Sequence, residues 1–420
     1  MKKWYNVLAI LMTMVIVLGM FGVACAEKPA PPKPTGPITI NIGLPMPLSG
    51  SASPWGQIPT PFREAWFEVF NREGFQVNGQ TYKLKLIQVD DQNTAEGGAA
   101  AAKQLIYGDN CKFIAGHWSW NFGAVASVTN PAKVIFVTRS GAPDGLPAAW
   151  GGAYDPKTMP YVVFGTPSFD EFVNYCFTIR NAYPNLKRLG LLDCTISKNG
   201  SGWQKVQDAL TKAGIPWQEE WFTYGQTDFA PIITKFAEGG CDVVLIAGWI
   251  GEHMAFLKQR YEMGYKDMKV GCSGPFVSMD MYKAVVGAAA FEGAIGSYDD
   301  NSKLKITKVN PKYVAECQEA LKIAAQNTKG PYEYTGEMKW IPTHPQILVQ
   351  AMQQAGTVDD ADAIMKVIRG GTFDTAMGKW TMSGEKTYGS AVCYGNTGQM
   401  CIIKDGKEVY LAEHPMDPLP

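Results

Sequence analysis

From Ile38 onward the chain alternates short apolar runs with stretches whose apolar residues recur three and four apart. "ITINIGLPM" is β-rich, and "TPFREAWFEVFNREG" after it reads as an amphipathic helix ending on a glycine stop. "YKLKLIQVDD" leads into "NTAEGGAAAAKQLIYGDN", "CKFIAG" into a helix after "NFGAV", and that into "KVIFVT". A β-α rhythm with short apolar strands predicts a parallel sheet covered by helices on both faces, and so an α/β fold.

A second series of the same kind starts near residue 168. "FDEFVNYCFTIRNAYP", "SGWQKVQDALTKAGI", "FAPIITKFAEGG" and "GEHMAFLKQRYEMG" read as helices between the strands "RLGLLDC", "WQEEWFT", "CDVVLIAG" and "MKVGCSG". Two α/β halves of comparable size predict two lobes. Beyond "EGAIGS", the helices "NPKYVAECQEALKIAAQN", "THPQILVQAMQQAG" and "DADAIMKVIRGG" follow one another without strands, before "GKWTMS" and "QMCIIKDGKEVYL" return to β. Such an order makes the chain cross between lobes several times, and a cleft between lobes is a common ligand site. The expected division is an export signal over 1–26, a proline-rich linker over 27–37, one lobe from 38–165 plus about 300–372, and a second from 166–299 plus about 373–420.

The N-terminus, "MKKWYNVLAILMTMVIVLGMFGVACAEK", opens with two lysines, followed by an apolar stretch and small residues, the layout of an export signal. Three readings stay open. Ala24-Cys25-Ala26 fits a small-x-small cleavage site; Gly22-Val23-Ala24-Cys25 resembles a lipobox that would lipidate Cys25; and Trp4 to Ala26 is long enough for an uncleaved anchor. "EKPAPPKPTGP" is an extended spacer suited to a tethered protein. The net charge of -1, with scattered lysines and arginines, gives no reason to expect nucleic acid. Eight cysteines follow Cys25 without a CxxC pair; most lie in apolar stretches and read as small buried hydrophobes, while Cys393 and Cys401 flank a hairpin-like turn and could face each other.

Catalytic signatures are missing. The four histidines stand in no HExxH pattern, and no G-x-S-x-G elbow, Walker loop or strand-bound G-x-G-x-x-G occurs. Ser302-x-x-Lys305 and Ser383-x-x-Lys386 match SxxK by chance in polar segments, and Asp90-Asp91 reads as a structural cap before a helix. No enzyme, cofactor or metal is expected.

The order of the segments "INIGLPMPLSGSASPWGQ", "VNGQTYKLKLIQVDDQNTAEGGAAAAKQLI", "FIAGHWSW", "VIFVTRSGAP", "YVVFGTPSFDEF", "DFAPIITKFAEGGCDVVLIAGWIGEHMAFLKQ" and "GKEVYL" resembles the substrate-binding proteins of branched-chain amino-acid-type ABC importers, the leucine/isoleucine/valine-binding class of type I periplasmic binding proteins. The likeness runs over nearly the whole chain after residue 38. It implies two Rossmann-like lobes joined by a three-segment hinge that closes on a small ligand, a monomer outside the cytoplasm, and delivery to the permease subunits of an ABC importer. The membrane would be met only through a lipid anchor at Cys25.

Carried over by position, the resemblance puts Trp55 at the cleft mouth, Ser119, Trp120 and Asn121 in the first ligand loop, and Thr138, Arg139 and Ser140 in the second. Trp249 and Phe276 would come from the second lobe. Trp120 stands where the family offers a serine, and Ser273 where it offers an acid for the ligand ammonium. A buried ammonium without an acceptor is costly, so the expected ligand is a small carboxylate with an apolar or aromatic body, held by Arg139. An amino-acid-like compound and a cation held over tryptophan faces are the rivals. Plainer readings stand beside these: Trp118 in the lobe core, His117 as a turn residue, Arg139 paired with a nearby acid, and Trp203, Trp217 and Trp221 in packing. The competing functions are a ligand-sensing receptor domain of the same fold and, less favoured by the motifs, an exported enzyme.

Overall fold

Hydrophobic side chains on both faces of each central strand decide the layering. In the computed structural model, Ile135 and Val137 point into one core cluster and Phe136 into another; Val163 and its neighbours Val162 and Phe164 divide the same way. The structure describes residues 36–50, 52–117, 121–139, 154–165, 169–195, 198, 201–248, 250–276, 278–297, 309–328, 332, 337–394 and 397–415. The stretch expected to be an export signal, Cys25 and nearly all of the expected linker lie outside them.

The strands are β1 (Ile38–Met46), β2 (Phe75–Val77), β3 (Gln80–Asp90), β4 (Phe113–His117), β5 (Ile135–Thr138), β6 (Val162–Phe164), β7 (Leu189–Cys194) and β8 (Trp217–Phe222). There follow β9 (Val243–Ala247), β10 (Lys269–Pro275), β11 (Ile295–Ser297), β12 (Thr372–Thr375), β13 (Gly378–Met382), β14 (Ala391–Tyr394), β15 (Thr397–Lys404) and β16 (Lys407–Pro415). They form two sheets, ordered β12-β13-β14-β6-β5-β4-β1-β3-β2 and β16-β15-β11-β10-β9-β7-β8. The centre of each is parallel, and the antiparallel pairs lie at the margins.

The chain leaves the first sheet after Phe164, returns to it after Ser297 and leaves it again after Tyr394, which makes three crossings. The last crossing differs from the expected boundary. Residues 373–394 were expected in the second lobe, but β12–β14 extend the first sheet, with β14 parallel to β6. Only β15 and β16 join the second sheet. A β pattern marks a strand but carries no label for the edge it completes, and the edge beside β6 was open.

This placement also separates Cys393, in β14, from Cys401, in β15. All eight described cysteines are buried thiols, none in a disulfide. Burial pushes the thiols of Cys111 and Cys317 up to about 12 and that of Cys241 to about 11, because a thiolate there would lose its hydration. Asp90 and Asp91 act as turn formers. Asp90 Oδ1 accepts from the Leu48 and Gln92 amides, each at 2.9 Å, and Thr94 caps the helix Ala95–Lys103 by accepting from Gly97 N.

Among the described residues, side chains tie the two lobes at the following places. Trp55, on the short helix Pro54–Gln57 after β1, is buried in a cluster otherwise built by the second lobe. Asn93 Nδ2 donates to the Tyr224 hydroxyl at 3.4 Å. Lys205 Nζ reaches Asp170 Oδ1 at 3.1 Å and the Tyr388 hydroxyl at 3.0 Å, while that hydroxyl donates to Asp170 Oδ2 at 3.2 Å. Tyr388 follows β13 of the first sheet, whereas Asp170 and Lys205 sit on helices of the second lobe.

Trp66 anchors the helix Thr60–Glu73 to the first sheet. It is fully buried, stacked on Phe70 at 5.2 Å and edge-on to Phe67 at 5.1 Å. Replacing Trp66 by Ala should cost about 3–5 kcal/mol, read as a lowered urea midpoint. A loss under about 1 kcal/mol would show that this helix does not depend on the tryptophan.

Candidate functional site

In an open α/β sheet, loops from adjacent strands part where the strand order reverses, and ligands bind there beyond the carboxyl ends. In the first sheet the chain runs from β1 to β3 on one side and then to β4 on the other, so the reversal falls at β1. A cavity of about 30 Å³ opens there, lined by Leu44 and Met46 of β1, Gly116 of β4, Arg139 after β5, and Trp340 and His344. Arg63 closes another part of the wall.

Gly116 is needed where it stands. A register shift between Ala115 and His117 inserts it as a bulge, with φ +86, a conformation that side chains disfavour. The bulge shifts the pairing, so that His117 rather than Gly116 stands opposite Thr138 at the end of β4.

Arg139 is 7% exposed, although it carries a charge. Its guanidinium carbon lies 4.8 Å from the centre of the Trp340 ring, a cation–π arrangement that is strengthened by burial. Arg63, also buried, donates to Gln88 Oε1 at 2.5 Å, to Thr60 Oγ1 at 3.1 Å and to the Gly56 carbonyl at 3.5 Å. It thereby pins the turn that carries Trp55.

Trp340 and His344 stand four residues apart on the helix Glu337–Ala355, so they share a face. That helix holds Pro342 and Pro345 in its interior. Each proline lacks an N–H and leaves a carbonyl one turn earlier without its helical partner, which weakens the regular ladder around His344. Past the prolines, Ile347, Leu348, Ala351 and Met352 bury the helix against the first lobe.

His344 is 1% exposed, and among the described residues neither ring nitrogen has a hydrogen-bond partner. Its ring centre lies 6.1 Å from that of Trp340 and 6.4 Å from that of Trp380. Glycines make room for it: a Cβ on Gly165 would stand 2.8 Å from His344 Nε2. Burial, and then the positive charge of Arg139, push the imidazole down to about 3, so it is neutral. An unsatisfied buried polar group of this kind costs about 1–3 kcal/mol.

Of the residues expected at the ligand, Arg139 lines this cavity. Thr138, immediately before it, is fully buried, and its carbonyl accepts from Gly165 N at 2.9 Å. Asn121 packs against Gly98 and donates to the Thr94 carbonyl at 3.3 Å, holding the loops after β3 and β4 together rather than lining the cavity. Trp55 and Phe276 share the aromatic cluster of the second lobe, where Phe276 stacks on His253 at 6.0 Å and meets Phe291 edge-on at 4.9 Å. His253 is bonded through Nδ1 to the Tyr282 hydroxyl at 3.0 Å, and burial pushes it down to about 3. Ser119, Trp120, Ser140 and Trp249 lie outside the described residues. Arg63, Trp340 and His344 were not expected from the sequence; the nearest signal was "WIPTHP", a histidine between two helix-weakening prolines.

Two doubly wound α/β lobes, crossed three times and carrying a cavity at a topological switch point, define the class of two-lobed binding proteins. The sequence profile of the periplasmic binding protein family matches residues 39–394. The chain belongs to that family, in its type I, branched-chain amino-acid class. It is 22% identical over 351 residues to a Leu/Ile/Val-binding protein homologue of Brucella suis, which covers 81% of this chain and 85% of the relative. The branched-chain amino-acid-binding protein LivJ of Streptococcus pneumoniae, solved with isoleucine, superposes with a TM-score of 0.67 at 17% identity, covering 90% of this chain and 100% of that one. A solute-binding protein of R. palustris, solved with 4-hydroxybenzoate, gives 0.68 at 17% identity, covering 91% and 98%. No helix among the described residues is long and apolar enough to cross a membrane.

The two buried histidines make stability depend on pH. Unfolded, both titrate near their usual value of about 6.5; folded, both stay neutral until about pH 3. Below about pH 6.5 the unfolded chain therefore takes up protons that the folded protein refuses, and stability falls as pH falls. Each histidine should add a slope approaching about 1.4 kcal/mol per pH unit. Urea midpoints between pH 7 and pH 5 should show His344→Gln with a shallower decline than the parent. Parallel declines would mean that His344 is not held neutral.

Proposed function

We propose that this chain is an extracytoplasmic solute-binding protein that captures a small organic carboxylate with an apolar or aromatic body and delivers it to the permease of an ABC importer. The observation that carries the ligand reading is Arg139: a guanidinium 7% exposed, laid on the Trp340 face beside the cavity at the switch point. A planar guanidinium held this way offers two parallel donors to a carboxylate, and the aromatic wall beside it accepts the apolar body. The 4-hydroxybenzoate in the R. palustris protein fits the same pairing of charge and ring.

The cavity of about 30 Å³ is far smaller than an ordinary small-ligand pocket. A ligand of the proposed size therefore enters with the lobes apart, and only its head group occupies this end when they close. Trp55 would act as the closing contact, because it is carried by the first lobe and buried among second-lobe side chains. Trp120 and Trp249 would supply further apolar wall, and Ser119 and Ser140 hydroxyls for the head group. An amino-acid-like ligand is the second reading, supported by the isoleucine bound to the Streptococcus protein. A cationic ligand is disfavoured by the buried charge of Arg139 on the same wall.

Calorimetry of the full chain against benzoate, leucine and glycine betaine tests this. Benzoate should bind with a negative heat-capacity change, and Arg139→Met should weaken it by about 2–5 kcal/mol. Tighter binding of leucine than of benzoate would replace the proposed ligand class by an amino acid.

A further inference from the structure

A neutral imidazole has one donor and one acceptor, and a protein interior normally satisfies both. Neither nitrogen of His344 has a partner among the described residues, yet the ring lines the same cavity as Arg139 and is nine-tenths buried. Its position is not slack. Trp340, one turn away, carries Arg139 on its face; Trp380 stands edge-on at 6.4 Å; and Gly165 leaves no room for a Cβ beside Nε2. Nε2 lies against Gly165, whereas Nδ1 lies on the side of Gly116, which lines the cavity, so Nδ1 is the atom complementary to something that enters it.

We propose that His344 is a specificity-determining ligand contact: its N–H donates to the carboxylate held by Arg139, and the two side chains together admit a flat, two-oxygen head group in preference to a tetrahedral one. This rests on the carboxylate reading given above. The guanidinium fork addresses both carboxylate oxygens, and the imidazole N–H adds a third donor to lone pairs that the fork leaves open. Shape supplies the discrimination: Leu44, Met46 and Gly116 wall the space beside the two side chains, and a sulfonate or phosphonate would bring a third oxygen out of the carboxylate plane into that wall. Because the imidazole is neutral, it adds no second positive charge beside Arg139 and supplies direction instead.

The test is calorimetry of the full chain with benzoate, benzenesulfonate and benzamide, comparing the parent with Arg139→Met, His344→Phe and His344→Gln. The parent should bind benzoate at least tenfold tighter than benzenesulfonate. His344→Phe should lose tenfold or more for benzoate, and His344→Gln, which keeps an N–H donor, should recover most of that loss. If His344→Phe binds benzoate within twofold of the parent while Arg139→Met does not, the inference is wrong and the carboxylate reading stands. If the parent binds none of the three, both are wrong. Should His344→Phe fail to fold, the imidazole ¹⁵N resonances of the parent, assigned through His344→Gln, decide the matter: they should move on addition of benzoate, and resonances that stay in place would overturn the proposal.

Discussion

Burying a parallel strand on both faces is the constraint from which the rest of this structure follows. With helices packed above and below, neither face of the sheet is open to a solute, and the carboxyl ends of the strands are what remains. A side chain that directly follows a buried strand starts inside the core and arrives already half-buried. Arg139 shows the consequence. It follows β5 directly, and its charge would be expensive without the Trp340 face and the polar groups around it. The apolar sheet thus creates both the site and the electrostatic demand on it.

The layering could be read from the chain because it is a local property. Period and apolarity identify each strand and helix within a dozen residues, and their alternation implies the two lobes. Pairing is not local. β14 joins β6 across more than two hundred residues, and nothing in "SAVCYG" distinguishes an edge of the first sheet from an edge of the second. The misplacement of 373–394 and the supposed proximity of Cys393 and Cys401 share that one cause.

The candidate site divides along the same line. Arg139 was reachable because the resemblance carries a ligand loop onto 138–140, directly after a strand that is plain in the sequence. Trp340, His344 and Arg63 reach the cavity from helices far from the strand ends in sequence, and each reads there as ordinary helical packing. Asn121 was chosen by position in a loop, but its amide is used to hold two loops together. Trp55 was placed at a rim; burial in the second lobe's cluster gives it the further task of linking two bodies that otherwise have separate cores.

The thiols have a bearing on how the chain survives where it works. Exchange and oxidation proceed through the thiolate, and burial suppresses that form at Cys111, Cys241 and Cys317 far below its level in a free chain. Under oxidising conditions these three thiols therefore react slowly in the folded protein and faster in a chain that has not yet folded. Oxidation and folding then run as competing clocks. A variant that folds slowly would leave those sulfurs open to cross-linking for longer.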